Sequence, residues 1–141
     1  MVKKPAYELI NHTADVGIHV FGHSAKSLFQ NAAMALMDQL VETTGLVARE
    51  KRQIAIQGND WPDLMVNWLR EILYLWVGEE CFAQSIHIES IVEKRLTAHL
   101  WVDPFSFERH TLHSEIKAVT YHQVQVFENG NRWEAKIIFD I

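Results

Sequence analysis

The sequence predicts an α+β fold in which a mixed or largely antiparallel β-sheet packs with two main α-helices. Apolar residues recur at helical spacing in two stretches, and elsewhere they alternate with polar residues at a period of two, in about six to eight short segments. The connections between these segments are short and turn-like, which favours antiparallel neighbours over long crossovers. With 141 residues, 48% of them hydrophobic in type and 22% charged, the chain has the size and composition of a single domain covering residues 1–141.

Both ends carry alternating, strand-like sequence, and Met1–Ile10 is too polar for a secretory signal. Val16, Ile18 and Val20 alternate with Asp15, Gly17 and His19, as in a half-buried strand whose first residue is Asp15. Ser24 is a suitable N-cap for a helix reaching about Leu40, with Leu28, Ala32, Leu36 and Leu40 on one face. Ile54 and Ile56 mark a short strand. Gly58-Asn59-Asp60 then introduces a second helix, about Trp61 to Val77, with Pro62 in its first turn. Its apolar face holds Leu64, Trp68, Leu69, Ile72, Leu75 and Trp76, and the two tryptophans read as core rather than ligand-stacking residues.

Beyond Gly78 the period returns to two, through Ile86 and Ile88, Leu96 to Val102, Ile116 onward, and Val124 with Val126. Asn129-Gly130 separates Val119–Phe127 from Trp133–Ile141 as the centre of a hairpin turn would. In the last segment Trp133, Ala135, Ile137 and Phe139 face inward, leaving Glu134, Lys136, Ile138 and Asp140 on the opposite face.

The formal charge of −5 opposes avid binding of RNA by the chain alone, because that attraction scales with clustered Lys and Arg. The small basic clusters Lys3-Lys4, Arg49 to Arg52 and Lys94-Arg95 read as solvated loop charge. The apolar runs are far shorter than the roughly 20 residues of a membrane span, so a cytoplasmic protein is expected. Cys81 is the one cysteine and reads as a partly buried small hydrophobe in preference to a reactive thiol.

Chemistry is suggested at few places. An apolar final strand would be held in the sheet, fixing the Asp140 side chain and the carboxylate of Ile141 close together. A third carboxylate, such as Asp15, would complete an oxygen-rich site suited to calcium or magnesium. The plainer reading makes Asp140 a solvated strand-end acid and Asp15 a cap for the Asn11–Thr13 turn, and spacing alone leaves both open. His12 adjoins Asp15 in the same turn and is a supporting candidate. His110 and His113 have i, i+3 spacing without a nearby third ligand. Lys117 interrupts the run Ile116-Lys117-Ala118-Val119, either as a solubilising charge or as a cation beside the acidic cluster.

Three segments taken together, His12-Thr13-Ala14-Asp15-Val16-Gly17-Ile18, Ile116-Lys117-Ala118-Val119-Thr120-Tyr121-His122 and Phe139-Asp140-Ile141, resemble the archease family. The stretch Trp68-Leu69-Arg70-Glu71-Ile72-Leu73-Tyr74-Leu75 is similar to the family's W-L-N-E-L-L-Y-L. The resemblance implies a protein cofactor, not an enzyme in itself, that promotes guanylylation and multiple turnover of the tRNA-splicing RNA ligase. RNA would be met only through that ligase. It further implies a divalent cation (calcium, magnesium or manganese) bound by Asp15, Asp140 and the carboxylate of Ile141, with Lys117 a functional basic residue. The rival readings are a metal-dependent hydrolase and a general chaperone or binding module without metal chemistry. One departure is Val102-Asp103-Pro104, where the family tends to have Gly-Glu-Pro. A valine resists positive φ, so the turn is expected to differ there, with Asp103 keeping the charge on a shorter arm.

Overall fold

The structure, a computed structural model, describes residues 6–11 and 15–141. Eight strands and two helices follow in the order β1 (Tyr7–Asn11), β2 (Asp15–Gly22), α1 (Ala25–Leu40), β3 (Glu50–Gln57), α2 (Trp61–Val77), β4 (Cys81–Val92), β5 (Arg95–Pro104), β6 (Ala118–Val119), β7 (Gln125–Asn129) and β8 (Arg132–Asp140). The class is the expected one, and every strand pairing is antiparallel. The strands are divided between two sheets, however. One runs β1-β2-β8-β6 with β7 also on β8, and the other runs β3-β5-β4.

Both helices contact both sheets. That is why α1 buries more than half its circumference, from Leu28 and Ala32 round to Met37 and Leu40. Ser24 caps α1 through a reciprocal box, its Oγ accepting from the Ser27 amide at 3.1 Å while Ser27 Oγ accepts from the Ser24 amide at 2.9 Å. Asp60 caps α2 by accepting from the Asp63 amide at 2.8 Å, with Pro62 in the first turn. Gly58 is required here, since a Cβ on it would sit 2.5 Å from the Leu64 nitrogen.

The helices are locked together by Trp68, which is fully buried and donates its indole N–H to the Phe29 carbonyl at 2.8 Å. Trp76 stacks on Phe82, with ring centres 4.6 Å apart. Both tryptophans therefore serve the interior. Cys81 is buried, and burial pushes its thiol pKa up.

Two details differ from the sequence reading. The β7–β8 turn is centred on Gly130-Asn131, because Asn129 pairs with Arg132; Gly130 alone takes positive φ, at 66°. Arg52 lies within β3 and pairs with Glu50 at 3.0 Å, so the Arg49 to Arg52 cluster is not loop charge. No helix among the described residues is long and apolar enough to cross a membrane.

Candidate functional site

Strand β8 occupies the interior of the five-stranded sheet, with β2 on one flank and β6 and β7 on the other. Its apolar alternation explains this position, for Ala135, Ile137 and Phe139 are fully buried against the helices. Asp140 therefore sits on the opposite face, as expected, and is exposed. Its partner across the β2 pairing is Asp15, and across the β6 pairing it is Ala118. Asp15, Asp140 and Ala118 form one row across three strands, and directly opposed residues of a row project from the same face.

Directly opposed Cβ atoms in an antiparallel pair lie about 4.5–5.5 Å apart, and like charges there repel. Two carboxylates in this position form an all-oxygen donor pair of the kind a hard divalent cation takes, and the methyl of Ala118 leaves space beside it. Among the described residues no group of three His, Cys, Asp or Glu side chains gathers to hold a metal. Further oxygen donors could come from main-chain groups, such as the carboxylate of Ile141, or from solvent. Ile141 is 47% exposed. His12 lies outside the described residues.

Lys117 is brought to the same end of the sheet, its amide donating to the Asp140 carbonyl at 2.8 Å. Its side chain takes another direction. It borders a groove of about 220 Å³ shared with Arg70, Leu73, Tyr74 and Val77 of α2. Arg70 lies in the family-like stretch of α2, where the sequence assigns it no role of its own. Its guanidinium donates to the Val119 carbonyl at 3.2 and 3.3 Å and lies 4.8 Å over the Tyr121 ring. Tyr121 in turn donates to Asp63 at 2.6 Å, a bond that holds the Asp63 carboxyl below its ordinary pKa. The segment Lys117–Tyr121 is thus tied to β8 on one side and to α2 on the other.

On the outer face, next to the acidic row, Ile10, Gly17 and Ile138 form a second row. Here a groove of about 480 Å³ opens between Ile10, Ile138, Lys136 and Gln125. Farther along, His19 bonds Glu134 at 2.8 Å. The Asn129 amide, with His19 and Arg132 behind it, outweighs burial and lowers the Glu134 pKa.

A second charged constellation, on the other sheet, was also missed. Asp103 is fully buried. It accepts from both terminal nitrogens of Arg109 at 2.8 and 3.1 Å, from the Val47 amide at 2.9 Å, and bonds His110 Nε2 at 2.9 Å. Burial raises its pKa, but the bonds from Arg109, Val47 and His110 outweigh that and hold it far below the carboxylate range. His110 Nδ1 accepts from the Ser106 amide at 2.9 Å, which leaves Nε2 as the protonated nitrogen facing Asp103. Asp103 is therefore no part of an acidic surface, and its neighbour Val102 keeps ordinary strand geometry.

The decisive comparison is with protein families, where the model of the Archease protein family matches residues 7–141. The chain belongs to the archease family. It is 31% identical to the protein archease of Methanosarcina acetivorans over 139 residues, covering 96% of this chain and 95% of that one. Protein 1598 of Methanobacterium thermoautotrophicum, an archease-family fold solved in solution, superposes with a TM-score of 0.80 at 25% identity, covering 98% of this chain and all of the other. The Thermotoga maritima crystal structure described as an archease, possible chaperone, shares the fold with a TM-score of 0.66 at 21% identity, covering 100% of this chain and 98% of that one. Of the segments that resembled archeases in the sequence, the described parts beginning at Asp15, around Lys117–Thr120 and at Phe139–Asp140 meet at the end of β8 in this fold.

Proposed function

We propose that this archease-family chain is a cytoplasmic protein cofactor of the tRNA-splicing RNA ligase, and that Asp15 and Asp140 hold a divalent cation through which it acts. The observation that carries the reading is the pairing in register of the half-buried Asp15 with the exposed Asp140 at one end of the sheet. Like charges directly opposed across a strand pair repel, so a cation held between the two carboxylates would be favourable, and this supports the reading of a bound metal. Calcium, magnesium and manganese all suit such oxygen donors.

In this reading Asp15 and Asp140 bind and orient the ion, with the main-chain carboxylate of Ile141 as a further donor. A cation held there would offset triphosphate charge during guanylylation of the ligase. Lys117, at the same end but facing α2, would contact a phosphate or a carboxylate of the partner. The net charge of −5 suits encounter with a basic, RNA-binding ligase, and RNA would be met only through that partner.

The test is ligase guanylylation and multiple-turnover RNA joining with the cognate ligase, with and without this protein, comparing wild type with Asp15→Ala, Asp140→Ala and Lys117→Ala after each is shown to fold. Stimulation by the wild type, lost in both aspartate variants, is the expected result. An inert wild type would remove the cofactor reading, and full stimulation by folded aspartate variants would remove the metal.

A further inference from the structure

The cluster around Asp103 carries more positive charge than its burial requires. One guanidinium bound end-on already neutralises a buried carboxylate and satisfies both its oxygens. Arg109 does this, at 2.8 and 3.1 Å. A second guanidinium is nevertheless present, with Arg49 Nε 3.3 Å from the same Asp103 Oδ1 that Arg109 holds. His110 is neutral in the tautomer its Ser106 bond selects. The cluster therefore carries an excess of one positive charge, in a chain whose overall charge is −5.

The surplus faces an open groove. Arg49, Ser106 and Arg109 line it together with Glu50, Pro104 and Phe105, around a volume of about 550 Å³. The Arg49 and Arg109 side chains are 54% and 34% exposed, while Asp103 and His110, which fix them from below, are wholly buried. Contacts through Nε for Arg49 and through the terminal nitrogens for Arg109 leave other N–H groups of each fork for a ligand. Among the lining residues the acid is Glu50, which Arg52 engages at 3.0 Å while also reaching Glu79 at 3.6 Å. Forks held in place on a buried carboxylate lose little entropy when they bind an oxyanion, and guanidinium pairs match phosphate geometry.

We infer that Arg49 and Arg109, set by the buried Asp103–His110 pair, form a binding site for a phosphate group, with the Ser106 hydroxyl as an additional donor. The site lies against the β3-β5-β4 sheet and is independent of the Asp15–Asp140 reading. The group could belong to free phosphate, to a nucleotide or to a nucleic-acid strand, the last of which would overturn the reading that RNA is met only through the ligase, and the experiment separates these sources.

The experiment follows the arginine Nε–Hε resonances of the full chain by NMR during titration with inorganic phosphate, a nucleoside monophosphate and a short single-stranded RNA, with sodium chloride at matched ionic strength as control. Saturable shifts at Arg49 and Arg109 with phosphate, absent with chloride, are expected, and Arg49→Gln should weaken binding at least about tenfold. Arg49 is the variant of choice because Arg109 still neutralises Asp103 without it, and the amide spectrum verifies the fold. Tighter binding of the nucleotide or of the RNA than of phosphate would support the site and name its source. Linear shifts shared with chloride, or undiminished binding by folded Arg49→Gln, would overturn it.

Discussion

Asp15 of β2 and Asp140 of β8 stand directly opposite each other in an antiparallel pair, so one strand register sets two carboxylates side by side. The consequence is measurable without the ligase. In chelator, Asp140→Asn should stabilise the protein, by roughly 0.2–1 kcal/mol, because a like-charge cross-strand pair is relieved. With a divalent cation at 100 times its Kd the order should reverse, since the wild type gains about 2.7 kcal/mol and the variant little. Thermal unfolding with EDTA, calcium, magnesium or manganese checks both halves, and a wild-type melting temperature indifferent to all three ions would count against the metal.

Asp103 should behave in the opposite way to this pair of acids. Asp103→Ala removes a fully buried carboxylate and strands Arg109 and His110, a loss of about 3–5 kcal/mol. Its folded-state pKa lies below the unfolded value of about 3.9. The stabilisation is therefore complete above about pH 4 and is lost only as pH falls through the lower, folded value. Urea unfolding of wild type and variant should show a gap between them that is constant from neutral pH to about pH 5 and closes in stronger acid. A gap that stayed open in strong acid would show that ionisation of Asp103 does not control the cluster.

The turn between β4 and β5 offers a gain in stability. Val92 pairs with Arg95, and the two residues between them, Glu93 and Lys94, both take positive φ, at 50° and 58°. This is the backbone of a tight hairpin turn, but in side chains that adopt it at a cost. Glu93→Asn should raise stability by up to roughly 1 kcal/mol, because asparagine tolerates the left-handed region better than glutamate, read as a higher urea midpoint at unchanged slope. Lys94 is better left alone, because its ammonium lies 5.1 Å over the Trp61 ring.

Features set by local periodicity were legible in the sequence. Helices α1 and α2 begin and end where their caps and apolar spacing place them. The alternation of β8 foretold that it is held in the sheet and which face Asp140 takes, while its central position emerges only from the topology. What local pattern cannot carry is the meeting of distant segments. Asp103, Arg109 and Arg49 are polar residues near strand ends, and only the packing of residues 105–110 against β3 and β5 makes a buried cluster of them. The turn before β8 shifted by one residue because register across the whole strand, not the Asn129-Gly130 dipeptide, decides which residues lie at its centre.

Arg70 likewise acquires its role only in three dimensions, and the role is testable. Its guanidinium donates to the Val119 carbonyl and covers Tyr121, so α2 holds the short strand β6 from the side opposite β8. Arg70→Met keeps the aliphatic length but removes those bonds, at a cost of about 1–2 kcal/mol for a partly buried charged hydrogen bond. The loss should be local. Hydrogen exchange at the Lys117 and Thr120 amides, which bond to Asp140 and Ile138, should accelerate by about tenfold, following the 1.4 kcal/mol that corresponds to a decade. Cation-dependent stabilisation through Asp15 and Asp140 should persist, because β2 and β8 remain paired along their length. If ligase stimulation fell while that stabilisation remained, the position of Lys117, and not metal affinity, would be what Arg70 supports. Unchanged exchange at both amides would mean that β8 alone holds β6 in place.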